Sequence, residues 1–286
     1  MTVEVGAMIV VGVTALVVGL VLALPRFRAA SGAGKVIVLG PVFEACALAI
    51  FAAEHFTAAR DLMPIVPHWL PAPLFWTYFV GVALLAAAIS IIAWRHVRWS
   101  AALLALLFLI IVATIDLPNL PQNIHDRFFW ILTVRETAFA AGAMVLAGSL
   151  WSRVVLVRLG RGIVAAIMIF YAIEHFLFPR NVPGVPLQKL IPAWWPAPTL
   201  LSYLVGVVLL FAGVRLFLRP TIRIAAAGAG IILVLLTAFF YLPIFVTEIH
   251  TPLAVEGINY IGDTFLFAGT VLLAGFATDT DGVTIE

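Results

Sequence analysis

Three observations predict an all-α polytopic membrane protein of nine transmembrane helices, one N-terminal helix followed by two parallel four-helix repeats. They are the composition, the regular return of apolar runs of span length, and an internal duplication. Of the 286 residues, 64% are hydrophobic and 10% charged, whereas soluble domains carry about a quarter charged. Mean hydropathy is +1.17. Each span needs about 20 apolar residues, and runs broken at charged or Pro/Gly clusters place helices at roughly 4–24, 36–57, 74–94, 100–117, 127–150, 161–178, 199–217, 222–242 and 252–276.

The first run, Val3 to Leu24, is too long for a simple signal peptide, and no small-residue cleavage site precedes Pro25-Arg26-Phe27-Arg28. Residues 1–33 are therefore expected to form a retained span and a cytoplasmic link. The second run ends in Ala49-Ile-Phe-Ala-Ala-Glu-His-Phe56, and its echo is Met168-Ile-Phe-Tyr-Ala-Ile-Glu-His-Phe176. Pro71-Ala-Pro73 is answered by Pro196-Ala-Pro198, Leu117-Pro118 by Leu242-Pro243, His125 by His250, and Glu136-Thr137 by Asp263-Thr264. The offsets are 120 at the Glu-His pair, 125 from the prolines to the later histidine, and 127 at the deep acids. Both changes fall in outer connections, where insertions are tolerated. The repeats are read as 34–152 and 153–286, the second with a short cytoplasmic tail.

A four-helix unit returns the chain to its starting side, so the copies must run parallel, related by a pseudo-twofold axis along the membrane normal. If Arg26, Arg28 and Lys35 are cytoplasmic, alternation puts 11 of the 16 Lys and Arg residues on that side. That predicts an outside amino terminus and a cytoplasmic carboxy terminus, in a bacterial or archaeal inner membrane. The outer connections 58–73 and 179–198 are rich in Pro and Trp. They read as surface caps that anchor at the interface, or as a lid over a ligand site.

A net charge of +2 carries no nucleic-acid message, and one cysteine, Cys46, excludes an intrachain disulfide or a multi-thiolate metal site. The bilayer is the expected environment. Polar groups within spans are expensive, so the duplicated ones are the candidate ligand- or cofactor-binding residues: Glu54, His55 and His125, then Glu174, His175 and His250. Imidazole with carboxylate suits Zn, Fe, Cu or Mn, which makes His55, His125, His175 and His250 candidate metal ligands; paired histidines also suit haem or a quinone carbonyl. The alternative is an interhelical hydrogen-bond cluster. Glu44, Arg135, Glu136 and Asp263 form a second, deeper set, suited to carrying protons or binding a polar head. Glu136 lies about 14 Å along its helix at 1.5 Å per residue, too deep to join His55 directly. No catalytic residue is assigned.

The helix ending in Glu54-His55-Phe56, then Pro71, Tyr78 and Gly81-Val82, repeated as Glu174-His175-Phe176, Pro196, Tyr203 and Gly206-Val207, resembles the DoxX-like family of four-helix membrane proteins. The resemblance covers nearly everything after residue 34, twice over. Where many members carry an acid soon after Gly-Val, this chain has Ala83-Leu84 and Val208-Leu209. The resemblance implies a membrane subunit of quinone-linked redox chemistry, or a partner of redox or respiratory proteins, with a quinone or a metal ion as cofactor. Two readings of other classes stand beside it: a transporter or lipid-binding protein using the mid-membrane acids, and a non-catalytic structural subunit of a larger membrane complex.

Overall fold

The structure is a computed structural model and describes residues 1–276. Eight of its helices are long and apolar enough to cross a membrane, from Val3–Ala29 to Arg219–Glu248, and the chain is an integral membrane protein. The ninth expected span is present as a helix, Ala254–Leu273, but carries Glu256, Asn259 and Asp263. It tolerates that polarity because protein surrounds it, with all but four of its 20 residues buried.

The long helices are α1 (Val3–Ala29), α2 (Gly40–Thr57), α3 (Pro73–Ile92), α4 (Val97–Ile111), α5 (Arg127–Leu150), α6 (Val154–Leu177), α7 (Pro198–Leu216), α8 (Ile222–Leu236) and α9 (Ala254–Leu273). Two boundaries differ from expectation. The first helix runs through Pro25 to Ala29, and α6 begins at Val154 rather than near 161. Arg158 and Arg161 therefore sit inside a helix. Arg161 donates to the carbonyls of Ala274 and Phe276 at 2.8 and 2.7 Å, capping the end of α9 with charge where the helix leaves carbonyls unpaired.

Eight helices close a ring in the order α2, α3, α4, α5, α6, α7, α8, α9 and back to α2, with α5 and α9 also meeting across its centre. The fourth helix of each repeat thus packs on the first helix of the other, as a twofold axis between α5 and α9 requires. Small residues allow the close approach. A Cβ on Gly40 would meet Leu272 of α9 at 2.8 Å, and one on Gly160, 120 residues later, would meet the Ala141 carbonyl of α5 at 2.6 Å. α1 lies outside the ring against α2, with Val10, Val13, Val17 and Val21 exposed for lipid.

Local details recur at the expected offsets. Ala72 and Ala197 both adopt left-handed φ values, 54° and 48°, immediately before the prolines that start α3 and α7. Wide π turns occupy Val112–Asp116 and Thr237–Tyr241. Each precedes a proline, Pro118 or Pro243, whose ring would clash with the carbonyl four residues back and which offers no N–H in return; the wider turn accommodates it.

Candidate functional site

The histidines do not gather into the expected metal or cofactor site of each repeat. His55 donates from Nδ1 to the Phe51 carbonyl of its own helix at 2.8 Å. His175 does the same to Tyr171, and its Nε2 accepts the Gly184 N–H at 2.9 Å. Both nitrogens of His175 are therefore committed to backbone. His125 and His250 are exposed, the latter 3.3 Å from the amino group of Met1. Among the described residues no group of three or more His, Cys, Asp and Glu side chains is placed to hold a metal ion.

The acids pair across the repeats, a consequence of the ring order. Glu174 on α6 takes the guanidinium of Arg127 on α5, beside a cleft of about 410 Å³ that His125 also lines. Glu54 on α2 accepts from Asn259 of α9 at 2.7 Å. Within-repeat pairing of His55 with His125 was the natural expectation from sequence, but the twofold axis brings the fourth helix of one repeat to the first helix of the other.

The deeper acids do converge. Arg135 donates to Asp263 through Nη1 and to Glu136 through Nη2, both at 2.8 Å, which ties α5 to α9 on the axis. Its Nε has no partner. Asp116, at the end of the first π turn, has Glu136 and Arg135 as its charged neighbours, and its buried Oδ2 bonds to nothing. Glu54 lies within electrostatic range of Asp263 and Arg135. Tyr171 is fully buried, with its hydroxyl unpartnered and Arg135, Asp263 and Glu136 among its charged neighbours. Glu44 stands apart, ten residues before Glu54 on α2, with neither carboxyl oxygen bonded.

The second connection is more than a surface cap, because its first half turns inward while Trp194 stays exposed. Residues 182–187 are buried, with Val182 and Val185 wholly so, and the loop is driven into the space enclosed by α6, α7, α8 and α9. Side chains of α6, α7, α9 and the π turn that follows α8 hold it. Ser202 donates to the Asn181 carbonyl at 3.2 Å, Tyr241 to Pro183 at 2.5 Å, His175 accepts from Gly184, and the Tyr260 hydroxyl accepts the Lys189 N–H at 3.1 Å. Arg127 adds bonds to the carbonyls of Pro186 and Leu187, and Lys189 pairs with Glu248 at 2.9 Å.

Every one of those four positions is idle in the first repeat. Thr77, matching Ser202, bonds its own helix at Pro73; Thr133, matching Tyr260, bonds its own helix at Phe129. Asp116 matches Tyr241 and is unbonded, and His55 keeps Nε2 free. Among the described residues, no part of connection 58–72 bonds these side chains. Burial follows suit: His175, Leu236, Tyr241, Asp263 and Thr264 are buried, whereas His55, Ile111, Asp116, Glu136 and Thr137 are partly exposed. The first repeat therefore leaves partly exposed the polar positions that a plug covers in the second.

Sequence reasoning singled out Arg135, Glu136 and Asp263 but missed Asp116, Asn259, Tyr171 and Arg127. The available signal was asymmetry: an acid at 116 inside an apolar run, where the second copy has Tyr241. Residues 44–117 match a family model described as a domain of unknown function, DUF8561. No curated protein and no solved structure matches the chain.

Proposed function

We propose that this is a small-molecule-binding membrane protein, a transporter or lipid-binding protein, whose first repeat receives its ligand in a polar-floored vestibule between α2, α3, α4, α5 and α9. The face carrying Met1 is extracytoplasmic, as the distribution of Lys and Arg favours, and the membrane is the inner membrane of a bacterium or archaeon. Arg135, Glu136 and Asp263 form the floor, about 14 Å along their helices at 1.5 Å per residue. One observation carries the reading: four matched positions hold a loop in one repeat and hold nothing in the other. Intramembrane charges that face a cavity are the usual mark of a substrate path.

The test is thiol accessibility in a Cys46→Ala background. Thr137→Cys should react from the Met1 side with a small membrane-impermeant thiosulfonate at least a hundredfold faster than Thr264→Cys, its plugged counterpart. Equal, slow labelling of both would remove the vestibule.

The resemblance to DoxX-like proteins supports a second reading, a quinone-linked redox subunit that works with respiratory or other redox partner proteins. Arg135 Nε favours it, since an N–H without an acceptor suits a quinone carbonyl. It requires quinone in solvent extracts of the purified protein, and quinone loss on Arg135→Lys. Extracts without quinone from membranes that contain it would leave only the binding or transport reading.

A further inference from the structure

The plug also indicates what the open vestibule accepts, an argument that rests on the vestibule reading above. The second repeat is filled by the chain itself, and each bond has a definite sense. The loop donates twice, from Gly184 to His175 Nε2 and from Lys189 to Tyr260. It accepts at Asn181 and Pro183 from Ser202 and Tyr241, and at Pro186 and Leu187 from Arg127. A mixed lining thus receives a mixed occupant.

The first repeat keeps the shape but changes the polarity. The Phe51 carbonyl can only accept, so His55 Nδ1 carries the proton and Nε2 presents a lone pair. The donor Tyr241 is replaced by Asp116, an acceptor with a buried and unbonded oxygen. Thr77 and Thr133 have turned their hydroxyl protons to their own helices. The charged groups in range of Asp116 are Glu136 and Arg135, and that one guanidinium is already divided between Glu136 and Asp263. Three carboxyl groups thus face a single cation. The walls are otherwise apolar, with Phe51, Val80 and Ile111 partly exposed where Tyr171, Val205 and Leu236 are buried.

We infer that the first-repeat vestibule binds a lipophilic amine, one molecule per chain, its ammonium donating to Asp116 and His55 Nε2 and its hydrocarbon body lying along Phe51, Val80 and Ile111. A bare metal ion would lack the apolar body and would find no ligand cluster. A quinone carbonyl only accepts, so it leaves Asp116 and His55 without a donor. The second repeat binds nothing further, because residues 182–187 occupy the equivalent space.

The experiment uses the full chain in nanodiscs with radiolabelled hexylammonium as probe, and hexanol and hexanoate as competitors of equal length. Expected are one saturable site per chain, little competition by either competitor, and a tenfold or greater loss of affinity in Asp116→Asn with Asp116→Glu retaining binding. Two sites per chain, competition by hexanol as strong as by hexylammonium itself, or unchanged affinity in Asp116→Asn would overturn the assignment. If Asp116→Asn misfolds, His55→Gln and the hexanol competition carry the same decision. Failure of this inference is distinguishable from failure of the vestibule. If hexanol or hexanoate protects Thr137→Cys from the thiosulfonate and hexylammonium does not, the vestibule stands and the amine falls. If Thr137→Cys is as inert as Thr264→Cys, both fall.

Discussion

The halves of this protein share a helical frame and differ in what fills it. Around the second repeat, Ser202, His175, Tyr241 and Tyr260 each bond to backbone of the connection 179–198. Around the first, Thr77 and Thr133 have turned back on their own helices, His55 uses only one nitrogen, and the buried Oδ2 of Asp116 has no hydrogen-bond partner. The difference teaches that duplication here has separated two tasks: one copy is closed into a structural block by its own chain, and the other is left with unmet hydrogen-bonding capacity. Buried polar atoms without partners cost free energy; around the axial charges they include Asp116 Oδ2 and Arg135 Nε from the first copy and Tyr171 Oη from the second, and an occupant that met them would recover part of that cost.

The axial charges offer the strongest test, because both copies lean on them. Arg135→Ala leaves Asp263 and Glu136 facing each other without a cation, and breaking a buried pair from one side costs about 3–5 kcal/mol. Reversible unfolding in mixed micelles should register that loss. Adding Asp263→Asn and Glu136→Gln to the same variant should recover much of it. A loss below about 1 kcal/mol would mean that the arginine is solvated from the vestibule rather than held by protein.

A smaller effect separates the two copies. His175→Ala deprives the buried Gly184 N–H of its acceptor, which costs about 1–3 kcal/mol. His55→Ala removes one bond to a carbonyl of its own helix and should cost about 1 kcal/mol or less. In unfolding measurements the second-repeat variant should be the weaker, and its plug amides from 182 to 187 should exchange hydrogen faster. Equal costs would show that something unseen in the protein holds His55 as firmly as Gly184 holds His175.

The frame was legible in the sequence because it follows from local chemistry. Apolar length set the spans, and the paired motifs Leu117-Pro118 and Leu242-Pro243 marked matching positions in both copies, though not the π turns that precede their prolines. The axial set Arg135, Glu136 and Asp263 was legible as charge inside apolar runs. What was not legible is where a polar loop goes. Pro183, Gly184 and Val185 look like surface turn residues in sequence, yet they are buried because His175 and Tyr241 offer partners that belong to distant helices. The role of His175 as a loop clamp depends on that path, so a Glu-His pair that reads alike in both copies acts differently in each. The cross-pairing of Glu54 with Asn259 and of Glu174 with Arg127 likewise depends on ring order, which no short-range pattern encodes.

The smallest expected effect is a difference close to zero, and it tests whether the frame really is shared. Phe56 stacks on Tyr78 with centroids 6.4 Å apart, and Phe176 stacks on Tyr203 at 6.3 Å. Both tyrosines are 42% exposed. Each stack lies where the first helix of a repeat crosses the second, beside Gly81 or Gly206, whose missing Cβ would meet the neighbouring histidine at 2.8 or 3.0 Å. Neither contact touches the plug or the vestibule. Tyr78→Leu and Tyr203→Leu should therefore each cost about 0.5–1.5 kcal/mol, the value of an aromatic pair beyond its buried area. The two costs should agree to within about 0.5 kcal/mol, the margin within which distant, independent sites behave additively. The double variant should show the sum of the single losses on the same margin. A larger gap would mean that filling the second repeat has tightened its helix crossing as well, and the contrast between the copies would then extend from their contents to their scaffold.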